Sequence, residues 1–189
     1  PVKEAVLSEQ LGISRAPIRE ALQVLVQEGL ITSEPQKGKH VRQMTGKEIY
    51  DSYVVAGILE GAGVAESLPL WTEANMETFR SVVRQMEGKI SYATKLDELA
   101  EIDELFHATL FMACDNTRLV EMARTSCATI SKYLYYQHWI TMFTPREYAD
   151  RHHAVAEAVY SRDVKHVETA LRDHYKETGL RMAQFGKEA

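Results

Sequence analysis

Asp103 and His107 stand four residues apart, and His152 and His174 follow further along the chain. Positions i and i+4 share one face of a helix. Leu99, Phe106 and Leu110 recur at helical spacing around that pair. His152 falls in step with Val155, Ala156 and Val159, and His174 with Val167, Ala170 and Leu171. Each polar group is therefore expected on the buried side of a helix. A buried imidazole or carboxylate costs free energy unless it is paired, so these groups need partners. Facing helices that project His and carboxylate inward are one way to hold a metal in a bundle. A hydrogen-bonded network without metal satisfies the same spacing, because sequence does not show that three helices converge. As ligands, three imidazoles and one carboxylate suit Zn, Ni, Mn and Fe(II) alike and leave one or two coordination positions open. A hydrolase would place an activated water there, with a base beside it. The chain carries no HExxH, GxSxG or phosphate-binding glycine loop to support that use.

The elements that must position these residues are legible as helices. Thr45 with Glu48 forms a capping box that opens a helical pattern ending near Leu68-Pro69. Five more helices are expected at about 72–91, 95–113, 116–138, 145–161 and 163–184, with Thr72 and Thr144 as N-caps and Pro145 at the first helical position. Strand signals are missing from this part. Residues 44–189 are thus expected to form an all-α bundle of about six helices. His153 lies about 100° around the helix from His152 and belongs to the surface or the outer shell. His40, His138 and His166 match no ligand position and are expected to be solvated or partly buried. Gly57, Gly61 and Gly63 interrupt the first bundle helix, where each costs roughly 1 kcal/mol relative to Ala. Close helix contact, for example across a dimer interface, explains them, and so does an enlarged cavity.

The first 43 residues are organised differently. Gly12 suits the φ > 0 turn between two helices, Ser14 is an N-cap, and Pro17 falls in the first turn of the next helix. Ile18, Leu22, Leu25 and Val26 give that helix a buried face. Arg15 and Arg19 project together from its start, the end that a recognition helix presents to bases and phosphates. Gly29 stops the helix. Leu30-Ile31-Thr32 and Lys39-His40-Val41-Arg42 then form a hairpin around Glu34–Gly38. Lys37, Gly38 and Lys39 on this wing are suited to phosphate contact. The segment is a winged helix-turn-helix whose expected partner is double-stranded DNA.

Residues 5–43 resemble the winged helix of the GntR family of bacterial transcription regulators. The resemblance rests on Val6-Leu7, Leu11-Gly12-Ile13-Ser14-Arg15, Pro17-Ile18-Arg19-Glu20-Ala21-Leu22, Leu25, Glu28-Gly29-Leu30 and Gly38. The family's winged helix opens with a further helix and a basic stretch, whereas this chain starts at Pro1, so an N-terminally incomplete domain is expected. The segments Ile102-Asp103-Glu104-Leu105-Phe106-His107 and His152-His153-Ala154-Val155-Ala156-Glu157-Ala158-Val159, with Asn116, Leu119, Asp163, Ala170, Leu171 and His174, resemble the FCD ligand-binding domain of the FadR-type branch. Six helices rather than seven point to the VanR-like subgroup. The resemblance implies one divalent transition metal on Asp103, His107, His152 and His174, a small organic acid as effector, and a homodimer on a short palindromic operator. The family's effector-binding Arg is replaced by Ala56 in Ala56-Gly57-Ile58-Leu59-Glu60. Lys132, Tyr133 and Tyr136 are then the remaining candidates for polar contacts.

Composition bounds the rest. The chain has 189 residues, 45% hydrophobic, with no apolar run read as a bilayer span and no signal peptide, so a soluble cytoplasmic protein is expected. Cys114 and Cys127 have no partner motif and are expected as buried reduced thiols. The net charge of −5 divides unevenly. Residues 1–45 carry six Lys/Arg against five Asp/Glu, and residues 46–189 carry sixteen against twenty-two, so the acidity belongs to the helical part. The function expected is a DNA-binding regulator, most simply a repressor, controlled by an organic acid at a metal site. Two alternatives remain: a metal-dependent enzyme with a vestigial winged helix, and a metal-free regulator of a larger apolar effector.

Overall fold

The computed structural model describes residues 1–188. Helix α1 (Glu4–Leu11) ends at Gly12, whose φ of 66° turns the chain into helix α2 (Arg15–Gln27). Ser14 has N-cap backbone angles, but its side chain makes no capping hydrogen bond, so the cap expected there is one of backbone shape alone. Gly29 at φ 74° ends α2. Strands β1 (Ile31–Glu34) and β2 (Gly38–Val41) pair antiparallel, Ile31 opposite Val41 and Glu34 opposite Gly38. Ile18, Leu22 and Ile31 form the buried core of this unit. Leu25 and Val26, expected inside, are only partly covered, and α1 buries no residue.

Met44 is the first residue to join the core of the helical part. Helix α3 (Gly46–Ser67) starts at the Thr45–Glu48 capping box. After it come α4 (Glu73–Ile90), α5 (Ala100–Leu110), α6 (Thr117–Thr129), the short α7 (Tyr136–Trp139), α8 (Pro145–Tyr160) and α9 (Val164–Ala183). Thr72 and Thr144 cap α4 and α8 as their sequences predict. The pattern read as one helix over 116–138 is broken. Residues Ile130–Leu134 widen into a π-helical turn, and Tyr135 leaves helical geometry at φ −125°, ψ 22°. The cause is tertiary. The buried Tyr135 hydroxyl accepts from the Met44 backbone N–H at 3.0 Å and donates to the Met44 carbonyl at 3.2 Å, across 91 residues of sequence.

Helix α3 lies at the centre of the bundle, against α9 and α6. The segment Gly46–Leu70 is long and apolar enough by composition to span a bilayer, which the sequence reading did not register, but it is largely buried as a core helix. Its glycines Gly57, Gly61 and Gly63 serve close contacts within the chain, the helix contact that the sequence allows for. A Cβ on Gly57 would lie 2.8 Å from Tyr175 Cβ, and one on Gly63 would lie 2.8 Å from the Phe111 ring. The first neighbour is rooted in the α9 backbone and cannot swing away. Gly57→Val is expected to cost about 3 kcal/mol by overpacking. Thermal unfolding reads this as a fall of several degrees, and an unchanged midpoint would show that α9 can shift.

Candidate functional site

Helices α5, α8 and α9 bring Asp103, His107, His152 and His174 together. One ligand atom from each of the three histidines lies within 4.8 Å of the others. Atoms bound to one transition ion at about 2.1 Å lie at most ~4.2 Å apart, so modest side-chain shifts close the set. Asp103 Oδ1 lies 3.1 Å from His152 Nε2 and 4.0 Å from His107 Nε2. All four residues line a chamber of about 80 Å³.

Two of the three imidazoles are oriented from behind. His152 Nδ1 lies 2.8 Å from the Tyr148 carbonyl, which can only accept, and its Nε2 faces the chamber, 3.1 Å from Asp103 Oδ1. His107 Nδ1 lies 2.7 Å from Glu60 Oε1, and Tyr175 donates its hydroxyl to Glu60 Oε2 at 2.7 Å. Carboxylate or carbonyl groups behind histidines are the arrangement that aims ligands at a metal. Arg151 donates to the His174 carbonyl at 2.5 Å, to Thr178 at 2.6 Å and to Glu177 at 2.8 Å, joining α8 to α9.

Burial opposes a charge on His107, but the Glu60 carboxylate outweighs it and pushes the group up to about 9. Burial holds His152 low in spite of Asp103, and holds His174 lower still with the Arg151 cation adding to the effect. Burial alone would raise Asp103, yet the hydrogen bond from His152 and the neighbouring imidazoles bring it below the usual carboxylate range. A neutral His152 has one N–H to share between the Tyr148 carbonyl and the Asp103 carboxylate, and a cation at Nε2 would satisfy the acceptor left over. His174 Nδ1 is buried without a partner among the described residues, and the His174 side chain lines the chamber. The donor set and the orphaned His174 nitrogen fit a bound metal.

The chamber adjoins a cleft of about 380 Å³ and shares Asp103, His107, Cys127, Ser131, Trp139 and Tyr175 with it. Lys132 and Tyr136 line this cleft, and Lys132 Nζ pairs with Glu104 at 2.9 Å. The other two residues proposed for effector contact do not reach it. Tyr133 is 65% exposed and lines neither space. Ala56 is fully buried and contributes to neither wall. His153 points outward, 3.2 Å from Glu87, as its angular offset predicts. Sequence reasoning met Glu60 only as the end of the Ala56–Glu60 stretch and passed over Tyr175, Tyr148 and Arg151. Of these only Glu60 left a signal, an acid inside the apolar run of α3.

On the winged helix, Arg15 and Arg19 are exposed at the start of α2. Arg19 Nη2 lies 3.3 Å from Glu4, and Lys39 Nζ lies 3.0 Å from the same carboxylate. Lys39 is therefore turned in toward α1, its side chain only 20% exposed, and is not the free phosphate contact that the sequence led us to expect. Lys37 stays out on the wing, paired with Glu34 at 2.8 Å.

A winged helix joined to an all-helical domain around an inward-facing ligand site defines a two-part transcription regulator. Residues 1–41 match the bacterial regulatory proteins of the gntR family, and residues 51–177 match the FCD domain. The chain belongs to the GntR family of transcription regulators, in its FCD-containing branch. It is 26% identical over 191 residues to the HTH-type transcriptional repressor RspR of Escherichia coli, covering 100% of this chain and 82% of that relative. It is 28% identical over 153 residues to the Nta operon transcriptional regulator of Aminobacter aminovorans, covering 80% and 69%. The fold is similar to that of E. coli McbR/YncC, with a TM-score of 0.73 at 19% identity over 97% of this chain and 87% of that one.

Proposed function

We propose that this regulator is a metal-dependent repressor that works in the cytoplasm as a homodimer on a short palindromic operator. Residues 1–43 bind DNA and residues 44–189 sense the effector and dimerise. Arg15 and Arg19 enter the major groove from the start of α2, while Lys37 and Gly38 set the wing against the backbone. Asp103, His107, His152 and His174 would hold one divalent transition metal. When bound, that metal supplies a Lewis-acidic centre with open positions for the oxygens of an organic acid. Glu60 and the Tyr148 carbonyl keep the imidazoles aimed, Tyr175 holds Glu60, and Arg151 fixes α9 and with it His174. The observation that carries this reading is the closure of three histidines from three helices at the end of a cleft, on a chain that begins with a winged helix.

The division of labour has a direct test. Arg19→Ala is expected to weaken binding to an operator fragment selected from random duplex DNA by about 1–3 kcal/mol, while metal content is unchanged. Filter binding and elemental analysis on the same preparation read the two effects. Loss of both together would mean that the two parts do not act as separate units.

A further inference from the structure

We propose that the acid recognised here is amphipathic, with a carboxylate head at the histidines and an apolar body of aromatic-ring size in the adjoining cleft. This rests on the regulator reading above and goes on to name the class of its ligand. The two connected spaces differ in chemistry. The chamber is polar, walled by imidazoles, Asp103, Arg151 and tyrosine hydroxyls. The cleft beyond it is set back by small side chains, Ala100 and Ala108 from α5 and Ala123 and Ala128 from α6, with the rings of Phe111 and Trp139 in its wall. Its exposed charged groups Glu101, Glu104, Arg124 and Lys132 belong to the rim, and its inner ones, Glu60, Asp103 and His107, lie together at the chamber end, which leaves the stretch between them to alanines and rings. At about 380 Å³ the cleft exceeds twice the roughly 150 Å³ of an apolar cavity that takes benzene.

Hydroxyls spread along a sugar-type acid would meet alanine methyls and ring faces there. A buried hydroxyl without a partner is penalised, whereas apolar area removed from water is favoured. An acid with polar groups only at its head matches the order of the walls: polar end, apolar middle, charged mouth.

The test uses the full chain loaded with Zn²⁺ and titrated calorimetrically with acetate, gluconate and phenylacetate. Phenylacetate is expected to bind at least about tenfold tighter than acetate, as the burial of a ring implies, with gluconate no better than acetate. Ala128→Leu fills the cleft from α6 and is expected to bring phenylacetate down to the acetate level. Ala108→Leu does the same from α5 and serves if the first variant fails to fold. Gluconate as the tightest ligand, or phenylacetate binding unmoved by both variants, overturns the proposal. Failure of Zn²⁺ to bind would sink the metal reading instead. The metal-free titration then decides the cleft alone: phenylacetate binding lost in the Leu variants supports it, and no binding overturns it.

Discussion

Changing His152 and His174 together to Ala is expected to abolish metal binding, from about one equivalent per chain to none. The two side chains come from α8 and α9, so their loss leaves only Asp103 and His107, one turn apart on α5. A stiff i, i+4 pair cannot surround an ion by itself, and the remaining positions would fall to water. The loss also appears in stability. A ligand that binds only the folded state at a thousand times its dissociation constant contributes about 4 kcal/mol. The parent protein should therefore melt several degrees higher with Zn²⁺ than with a chelator, and the double variant should melt alike in both. A parent protein without metal would reduce the four residues to a hydrogen-bonded network. A variant that keeps its equivalent would put the metal elsewhere.

The same site predicts how metal uptake varies with pH. In the metal-free chain His107 is raised from 6.5 to about 9 by Glu60, so it carries a proton at neutral pH. The Glu60–His107 pair thus stabilises the metal-free fold fully below 6.5 and loses that contribution as pH rises through about 9. A metal can use His107 only after this proton leaves, so apparent affinity should rise about tenfold per pH unit until near that value. Titration of Zn²⁺ in weakly buffered solution should release a proton, and a pH-independent affinity would leave His107 outside the ligand set.

Much of this site was legible because its residues obey helical arithmetic. Asp103 and His107 share a face at i, i+4, and the capping boxes at Thr45, Thr72 and Thr144 start helices where their spacing says. The turn at Gly12, the recognition helix and the wing follow from local chemistry in the same way. What stayed hidden depends on long-range contact. Nothing local marks Tyr175 as the group that holds Glu60, or Arg151 as the strut between two helices, since both read as ordinary helix-surface residues. Lys39 looked free because the carboxylate that captures it, Glu4, lies 35 residues away. The periodicity over 116–138 is sound as a helical signal and yet fails at Tyr135, where a tertiary hydrogen bond outweighs propensity.

Because of that break, Tyr135→Phe is expected to uncouple the effector site from the DNA-binding part. Ser131 and Lys132 before Tyr135, and Tyr136 and Trp139 after it, line the two ligand spaces. Tyr135 itself grips the backbone of Met44, at the joint between wing and bundle. Any repacking of the α6 end around a ligand must therefore move the linker that joins the winged helix to α3, or break these bonds. Removing the hydroxyl has unequal consequences for its two partners. The Met44 carbonyl keeps the Lys187 N–H at 2.9 Å, whereas the Met44 N–H, which among the described residues meets only the Tyr135 hydroxyl, is left buried without an acceptor. Such an orphan costs about 1–3 kcal/mol, and the joint should relax until it finds water. The variant should still fold, bind Zn²⁺ and take phenylacetate. Its operator affinity should no longer respond to them, so a coupling of roughly 5- to 150-fold falls toward unity. Operator binding by parent and variant, each with chelator and with Zn²⁺ plus phenylacetate, measures that factor. A variant that melts lower yet keeps the full factor would make Tyr135 a stabilising clamp and place the coupling in another contact between the parts, of which the Arg42–Glu48 ion pair at 3.4 Å is the next to test.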